Sequence, residues 1–145
     1  MQLTNEQIGI SLLLLRVILG IIFFAHGAQK VMGWFGGYGL AGTVGAFKNY
    51  MNIPAPMAYL ASFTELLGGI FIIAGFLTRL SALGIIITMV MAIVKVHWKS
   101  GFFLSSGEPN KGNGIEYNLA LITIGLILLI TGAGQFSIDS ALKLF

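Results

Sequence analysis

Four long apolar segments constrain the fold of this chain more than any other feature. They lie at about residues 8–32, 56–77, 80–98 and 116–132. A bilayer core about 30 Å thick is crossed by about 20 helical residues. A backbone in lipid must satisfy its own hydrogen bonds, as a helix or a closed barrel. Because barrel strands alternate apolar and polar residues, these uninterrupted runs predict four transmembrane helices.

The composition supports a membrane location and excludes several classes of function. The chain has 145 residues, of which 57% are hydrophobic and 9% are charged, whereas a soluble domain has about 25% charged residues. We therefore expect one transmembrane domain over residues 1–145. The net charge of +3 is scattered and forms no basic stripe, which argues against a nucleic-acid partner. The absence of cysteine excludes disulfides, thiol redox chemistry and covalent c-type haem attachment.

The connections predict the order of the helices. Apolar residues recur at helical spacing between Leu40 and Met51, which indicates a short helix in the membrane interface. The second and third spans are joined by little more than Thr78 and Arg79, so these spans are expected to be antiparallel neighbours. The predicted fold is all-α: an antiparallel, up-down four-helix membrane bundle with an interfacial helix between spans 1 and 2.

The lysines predict the orientation in the plasma membrane. Loops 33–55 and 99–115 share one membrane face, called here the loop end, and both termini share the other, the terminal end. The loop-end lysines are Lys30, Lys48, Lys95, Lys99 and Lys111. The terminal end has Arg79 and Lys143. Because basic residues favour the cytoplasmic side, both loops are expected in the cytoplasm and both termini outside.

Two charged residues lie deep in the first and second spans. A charge at mid-membrane costs about 2.5–3.5 kcal/mol on insertion scales. Arg16 and Glu65 are predicted at similar depths, so we expect them to form a structural ion pair. The alternative is that Arg16 extends to the headgroups while Glu65 is held protonated.

Glycine spacing predicts where helices pack closely. Gly20 and Gly27 are seven residues apart, as are Gly68 and Gly75, which places each pair on one helix face. Small residues let transmembrane helices approach each other. We expect spans 1 and 2 to pack against each other along these glycines.

All four spans carry polar residues near the loop end, and in a four-helix bundle such side chains can converge on one cavity. The candidate catalytic residues are His26, Glu65, His97 and Glu116. The candidate substrate-binding residues are Gln29, Lys30, Trp34, Lys95, Trp98 and Asn118. The alternative is an ordinary interface belt of tryptophan and lysine.

Five motifs in fixed order carry a resemblance to a known family. They are HGAQKVMGWFGG, ELLGGIFIIAGFLTR, KVHWKSGFF, GIEYNLALI and GAGQFSID. From Arg16 to Asp139 the chain resembles the DoxX family of small bacterial and archaeal membrane proteins, named after a subunit linked to a thiosulfate:quinone oxidoreductase. The resemblance implies a four-helix bundle, quinone or thiol redox chemistry, and a link to quinone or oxidative-stress resistance. The family's recurring polar positions would fall on Arg16, His26, Lys30, Glu65, Arg79, His97, Glu116 and Asp139.

Three functions remain open at this point. In the first, an oxidoreductase or its subunit handles quinones or quinols: the histidines bind the ring oxygens, Glu65 and Glu116 move protons, and a partner or bound cofactor supplies electrons. A haem between His26 and His97, or a metal on these two and Glu116, is a further alternative. The second is a non-catalytic anchor that docks soluble redox enzymes on segments 39–51 and 99–114. The third is a small-molecule binder or exporter, which would need a homo-oligomer.

Overall fold

The described chain is built from helices. A computed structural model describes residues 3–104 and 112–144, and within these ranges it contains no strand. The α-helices are α1 (Asn5–Val31), α2 (Gly39–Met51), α3 (Ala55–Ala74), α4 (Thr78–Ala92), α5 (Glu116–Thr131) and α6 (Ile138–Ala141). Beyond α4 the helix continues as a π-helical turn, Ile93–His97, and a 3-10 turn, Trp98–Ser100. The all-α prediction is confirmed, and so is the helix between the first two spans.

Three helices have the length and composition needed to cross a membrane. They are Asn5–Val31, Ala55–Ala74 and the continuous helix Thr78–Ser100. The fourth predicted span is the apolar helix α5, which has 16 residues and is therefore about 24 Å long.

Two helix boundaries differ from those predicted, for local structural reasons. The first helix begins at Asn5 because Thr4 and Gln7 form a capping box, in which each side chain accepts from the other residue's backbone N–H at 3.2 and 2.9 Å. The link between α3 and α4 is residues 75–77, so the prediction that Thr78 and Arg79 form it is wrong. Gly75 ends α3 with φ +67°, a conformation that glycine adopts without strain.

Glycines let α1 and α3 approach closely. A Cβ on Gly20 or Gly27 would overlap α3 at Gly69 or Leu66, respectively. The predicted close packing at Gly20 and Gly27 is therefore confirmed, but the α3 glycine that faces them is Gly69. Gly68 faces Ile85 of α4 instead. A Cβ on Gly68 would lie 3.7 Å from the Ile85 side chain, an ordinary contact distance.

One apolar core is shared by four helices. Helix α3 packs against α1 and α4, and α5 packs against α4 and α1. The buried core side chains are Leu12, Leu19, Phe23, Ile72, Ala82, Ile85, Met89, Leu121 and Leu128. Helix α2 lies across α1 and α3, and its Thr43 hydroxyl donates to the Lys30 carbonyl at 3.2 Å. The core fills the middle of the molecule, and polar residues gather beyond it at both ends.

The predicted ion pair between Arg16 and Glu65 is wrong. Arg16 is 1% exposed, and its Nη2 donates to the Phe136 carbonyl at 2.5 Å. Its guanidinium lies against Gly75, ten residues beyond Glu65 on α3, which is a separation of about 15 Å along the helix. The prediction ignored the C-terminal segment, which folds back and supplies the partner of Arg16.

Asp139 fastens that C-terminal segment to the turn between α3 and α4. Its carboxylate accepts from the backbone N–H groups of Leu77 and Thr78 at 2.8 and 2.9 Å, which caps the start of α4. Its own N–H donates to the Gly75 carbonyl at 2.8 Å, and its negative charge acts on Arg16. Ser137 caps α6 by accepting from Ser140 N.

We expect Gly27→Ala to destabilise the fold, because the added methyl would push α1 away from Leu66. Overpacking of this kind costs about 1–3 kcal/mol. Gly45→Ala is the matched control: a Cβ there meets nothing within 4 Å, and alanine in a helix gains about 0.5–1 kcal/mol over glycine. Thermal unfolding in detergent measures both. Equal melting temperatures for the two variants would contradict close packing at Gly27.

We expect Asp139→Ala to lower the stability by about 1–3 kcal/mol, because two buried N–H groups lose their acceptor. Asp139→Asn should lose less, since its amide oxygen can still accept one of these bonds. Thermal unfolding again gives the comparison. An unchanged melting temperature for Asp139→Ala would show that this carboxylate does not hold the C-terminal segment.

Candidate functional site

A cavity of about 330 Å³ lies near the loop end. It is bounded by α1, α3, the last turns of the α4 helix and the start of α5. Its polar lining residues are His26, Lys30, Glu65, His97, Asn113, Tyr117 and Asn118. Its apolar lining residues are Phe23, Met89, Ala92, Leu104 and Leu121. The cavity therefore combines an apolar wall with hydrogen-bonding and ionisable groups.

Helix α1 contributes three lining residues from one face. Phe23, His26 and Lys30 follow the spacing i, i+3 and i+7, which aligns side chains along a helix. Phe23 belongs to the core and is 1% exposed, so the face passes from the core to Lys30 in the last turn of α1.

An ion pair between Lys30 and Glu65 forms one wall of the cavity. Glu65 is 2% exposed, whereas the Lys30 side chain is 25% exposed. The Lys30 ammonium also lies 5.9 Å from the ring centre of Phe47 on α2, within the range of a cation–π contact. A carboxylate buried this deeply requires a compensating charge, and Lys30 supplies it.

A π-helical turn directs His97 toward the cavity. Trp98 N–H donates to the carbonyl of Ile93, five residues earlier, instead of the usual four. In a regular α-helix Val96 would lie one turn beyond Ala92, on the same face. In the wider π-helical turn His97 occupies that position instead. Ala92 and His97 both line the cavity, and Val96 does not. Single π-helical turns of this kind occur frequently at functional sites.

The protonation of the His97 ring follows from its backbone partner. His97 Nδ1 lies 2.7 Å from the carbonyl oxygen of Asn113. Because a carbonyl oxygen only accepts, Nδ1 must carry the proton. In the neutral ring Nε2 is then an acceptor, and in the charged ring it is a donor.

Helix α5 adds residues that the sequence prediction missed in part. Asn118 is 5% exposed, and its amide donates to the Met89 sulfur at 3.4 Å. Tyr117 and Met89 also line the cavity but were not predicted. Two missed residues had a signal in the sequence. Phe23 lies one helical turn before His26, and Tyr117 directly precedes Asn118 in the same motif.

Glu116, a predicted catalytic residue, lies outside this cavity. Its carboxylate accepts from Leu104 N–H at 2.5 Å, and its backbone N–H donates to the Phe102 carbonyl at 2.9 Å. Glu116 thus holds Leu104, which lines the cavity, against the start of α5. Among the described residues no group of three or more histidines or carboxylates could hold a metal ion, so the alternative of a metal on His26, His97 and Glu116 is wrong.

Four predicted substrate-binding residues also lie outside the cavity. Gln29 donates to the Phe35 carbonyl at 3.3 Å, and Lys95 is exposed. Trp34 and Trp98 are 52% and 69% exposed. The interface-belt alternative suits these two tryptophans and Lys95 better than ligand binding.

Residues 11–98 match the family described as DoxX. This chain belongs to the DoxX family. It is 33% identical over 135 residues to the Bacillus subtilis protein named "Putative oxidoreductase CatD", covering 93% of this chain and 89% of that one. It is 31% identical to the Escherichia coli inner membrane proteins YqjF, with 95% of each chain covered, and YphA, with 90% and 89% covered.

The two Escherichia coli relatives match nearly the whole chain and are named inner membrane proteins. A lipid bilayer is therefore the environment of this DoxX-family protein. No solved structure matches it. The family match includes α1, α3 and the π-helical turn, and so includes His26, Lys30, Glu65 and His97.

We expect His97 to occupy a single neutral tautomer, with its proton on Nδ1. Nitrogen NMR of histidine-labelled protein resolves the two tautomers, and His26→Gln leaves one signal because the chain has 2 histidines. In a variant that swaps the two residues, Val96→His/His97→Val, the histidine should lose its hydrogen bond to Asn113. It should then also lose the preference for the tautomer with its proton on Nδ1. A mixture of tautomers at His97 in the unexchanged protein would contradict the described hydrogen bond.

Proposed function

We propose that this DoxX-family protein binds a quinone or quinol in the loop-end cavity and acts as an oxidoreductase or as a subunit of one. One observation carries the proposal: a cavity of about 330 Å³ combines apolar walls with histidines, an amide and a buried ion pair. Ligand sites are typically about 300–1,000 Å³, mostly apolar, with a few polar groups that fix orientation. A related protein that carries an oxidoreductase name supports the redox part of the proposal.

The chemistry requires both protons and electrons. Reduction of a quinone to a quinol takes up two electrons and two protons, and forms two O–H bonds at the ring oxygens. In the neutral ring His97 Nε2 would accept from a quinol hydroxyl, and in the charged ring it would donate to a quinone oxygen. His26 would bind the other ring oxygen, and Lys30 with Glu65 would exchange protons with the ligand. The electrons must come from a redox partner or a bound cofactor, because the chain has no cysteine and its side chains alone provide no electron carrier.

We infer further that α5 crosses the membrane beside α4, which completes an up-down four-helix bundle in one transmembrane domain over residues 1–145. Hydrogen bonds hold both ends of α5. At its end, the Ile130 carbonyl accepts from Arg79 Nη2 of α4 at 3.2 Å. At its start, Glu116 N–H donates to the carbonyl of Phe102, in the segment after the α4 helix. The proposal includes a plasma-membrane location, with loops 33–55 and 99–115 in the cytoplasm and both termini outside.

Two other functions make different use of the same molecule. A non-catalytic anchor would present α2 and the following loops to a soluble redox enzyme, although residues 105–111 of the proposed docking loop lie outside the described residues. Tyr38 and Tyr50, at the ends of α2, are 83% and 86% exposed and would suit such a surface or the lipid headgroups. A binder or exporter would use the cavity without electron transfer, as a homo-oligomer. Quinone or oxidative-stress resistance is compatible with each of these roles.

We expect the purified protein to bind a short-chain quinol, whose hydroxyl can donate to His97 Nε2, and His97→Phe to weaken binding about tenfold, the effect of one lost hydrogen bond worth about 1.5 kcal/mol. Isothermal titration measures the affinity. Lys95→Gln is the control, because Lys95 lies on the same turn but outside the cavity.

Redox turnover separates the proposal from its alternatives. Quinone reduction by the protein with its electron-donating partner, followed by absorbance, should fall with His97→Phe and not with Lys95→Gln. Binding without turnover would favour the binder or exporter. Equal quinol affinity in all three proteins, or no binding at all, would contradict a quinol site in this cavity.

A further inference from the structure

A second cavity, of about 230 Å³, lies at the terminal end of the molecule. It is bounded by the start of α4, the end of α5 and α6. Its polar lining residues are Arg79, Thr131, Ser137, Asp139 and Ser140. The length of α4 separates it from the loop-end cavity, and the proposed quinone chemistry does not use it.

Arg79 is held at the wall of this cavity by the end of α5. One guanidinium nitrogen, Nη2, donates to the Ile130 carbonyl at 3.2 Å, one of the carbonyls that a helix leaves without a partner in its last turn. The guanidinium also lies beside Gly132, where a Cβ would be in ordinary van der Waals contact, 3.5 Å from Arg79 Nε. The bond to Ile130 takes one of the five N–H donors of arginine, and the side chain is exposed.

The carboxylate in the cavity wall is already compensated. Asp139 is 6% exposed and accepts from two backbone N–H groups, Leu77 and Thr78. Arg16 lies close enough for its positive charge to act on Asp139. With Asp139 compensated in this way, Arg79 contributes a positive charge to the lining of the cavity.

Hydroxyl groups complete the lining. The Ser137 hydroxyl donates to the Gly134 carbonyl at 2.6 Å and accepts from Ser140 N at 3.1 Å, so it serves the α6 cap. Ser140 contributes its backbone N–H to this cap, which leaves its hydroxyl outside the capping interaction. Thr131 Oγ1 donates to the Ile127 carbonyl at 2.7 Å and retains acceptor capacity only.

We propose that the terminal-end cavity binds a phosphate group, and specifically the headgroup phosphate of a membrane phospholipid. A guanidinium binds phosphate through paired, charge-assisted hydrogen bonds, and the Ser140 hydroxyl adds a donor. The cavity lies at the turn between α3 and α4, two helices of membrane-spanning length. Phospholipid headgroups lie at that level of a bilayer. This inference is independent of the function proposed for the other cavity.

The test uses the full chain, delipidated in detergent and titrated with phosphatidylglycerol, with native mass spectrometry to count bound lipid. Arg79→Gln should weaken the tightest binding event about tenfold or more, from the loss of charge-assisted hydrogen bonds. Arg79→Lys, which keeps the charge but loses the paired geometry, should have an intermediate effect. Ser140→Ala should weaken binding by a smaller factor and leaves the α6 cap intact.

Lys143→Gln is the matched control. Lys143 is a cation of the C-terminal segment, at the same end of the molecule as Arg79, but it does not line the cavity. Unchanged binding in this control, together with weak binding in Arg79→Gln, supports a specific phosphate site. Competition by millimolar inorganic phosphate in a parallel titration would keep the phosphate chemistry but overturn the lipid as its source. Equal losses in Arg79→Gln and Lys143→Gln, or no saturable lipid binding, would overturn the site.

Discussion

The ion pair between Lys30 and Glu65 is the interaction on which the loop-end cavity depends. An isolated carboxylate at 2% exposure in a transmembrane helix would be driven to take up a proton or to leave the apolar region. The pair can form only if α1 and α3 lie close together at the level of Lys30 and Glu65. The glycines at positions 20, 27 and 69 provide that proximity, and the carbonyl of Lys30 is further held by Thr43 of α2.

Two centres of charged residues in this protein have different roles. At the terminal end, Arg16 and Asp139 join α1, the α3–α4 turn and the C-terminal segment, and this centre is structural. At the loop end, the Lys30–Glu65 pair faces a cavity that also contains His26 and His97. Because the apolar core separates the two centres, a ligand can bind at one end without disturbing the charges at the other.

The sequence predicted the helices well because apolar length and helical spacing are local properties. It did not predict the partner of Arg16, since counting depth along two spans ignores a segment that folds back from the end of the chain. It did not predict the π-helical turn, because a change in hydrogen-bond register at Ile93 leaves no signal in the hydrophobic pattern. The sequence also did not show that Glu116 lies outside the cavity, because a carboxylate in the first turn of a helix can serve a site or hold a nearby backbone, and here it holds Leu104.

The most direct test of the central interaction is a double-mutant cycle on Lys30 and Glu65, measured by reversible or thermal unfolding in detergent. We expect Lys30→Met and Glu65→Gln each to destabilise the protein, and Lys30→Met more so, because it leaves a buried charge without a partner. The double variant should recover much of the loss, with a coupling energy of about 1–3 kcal/mol. Strictly additive losses would show that the two side chains do not interact, and would contradict the structure of the cavity wall described above.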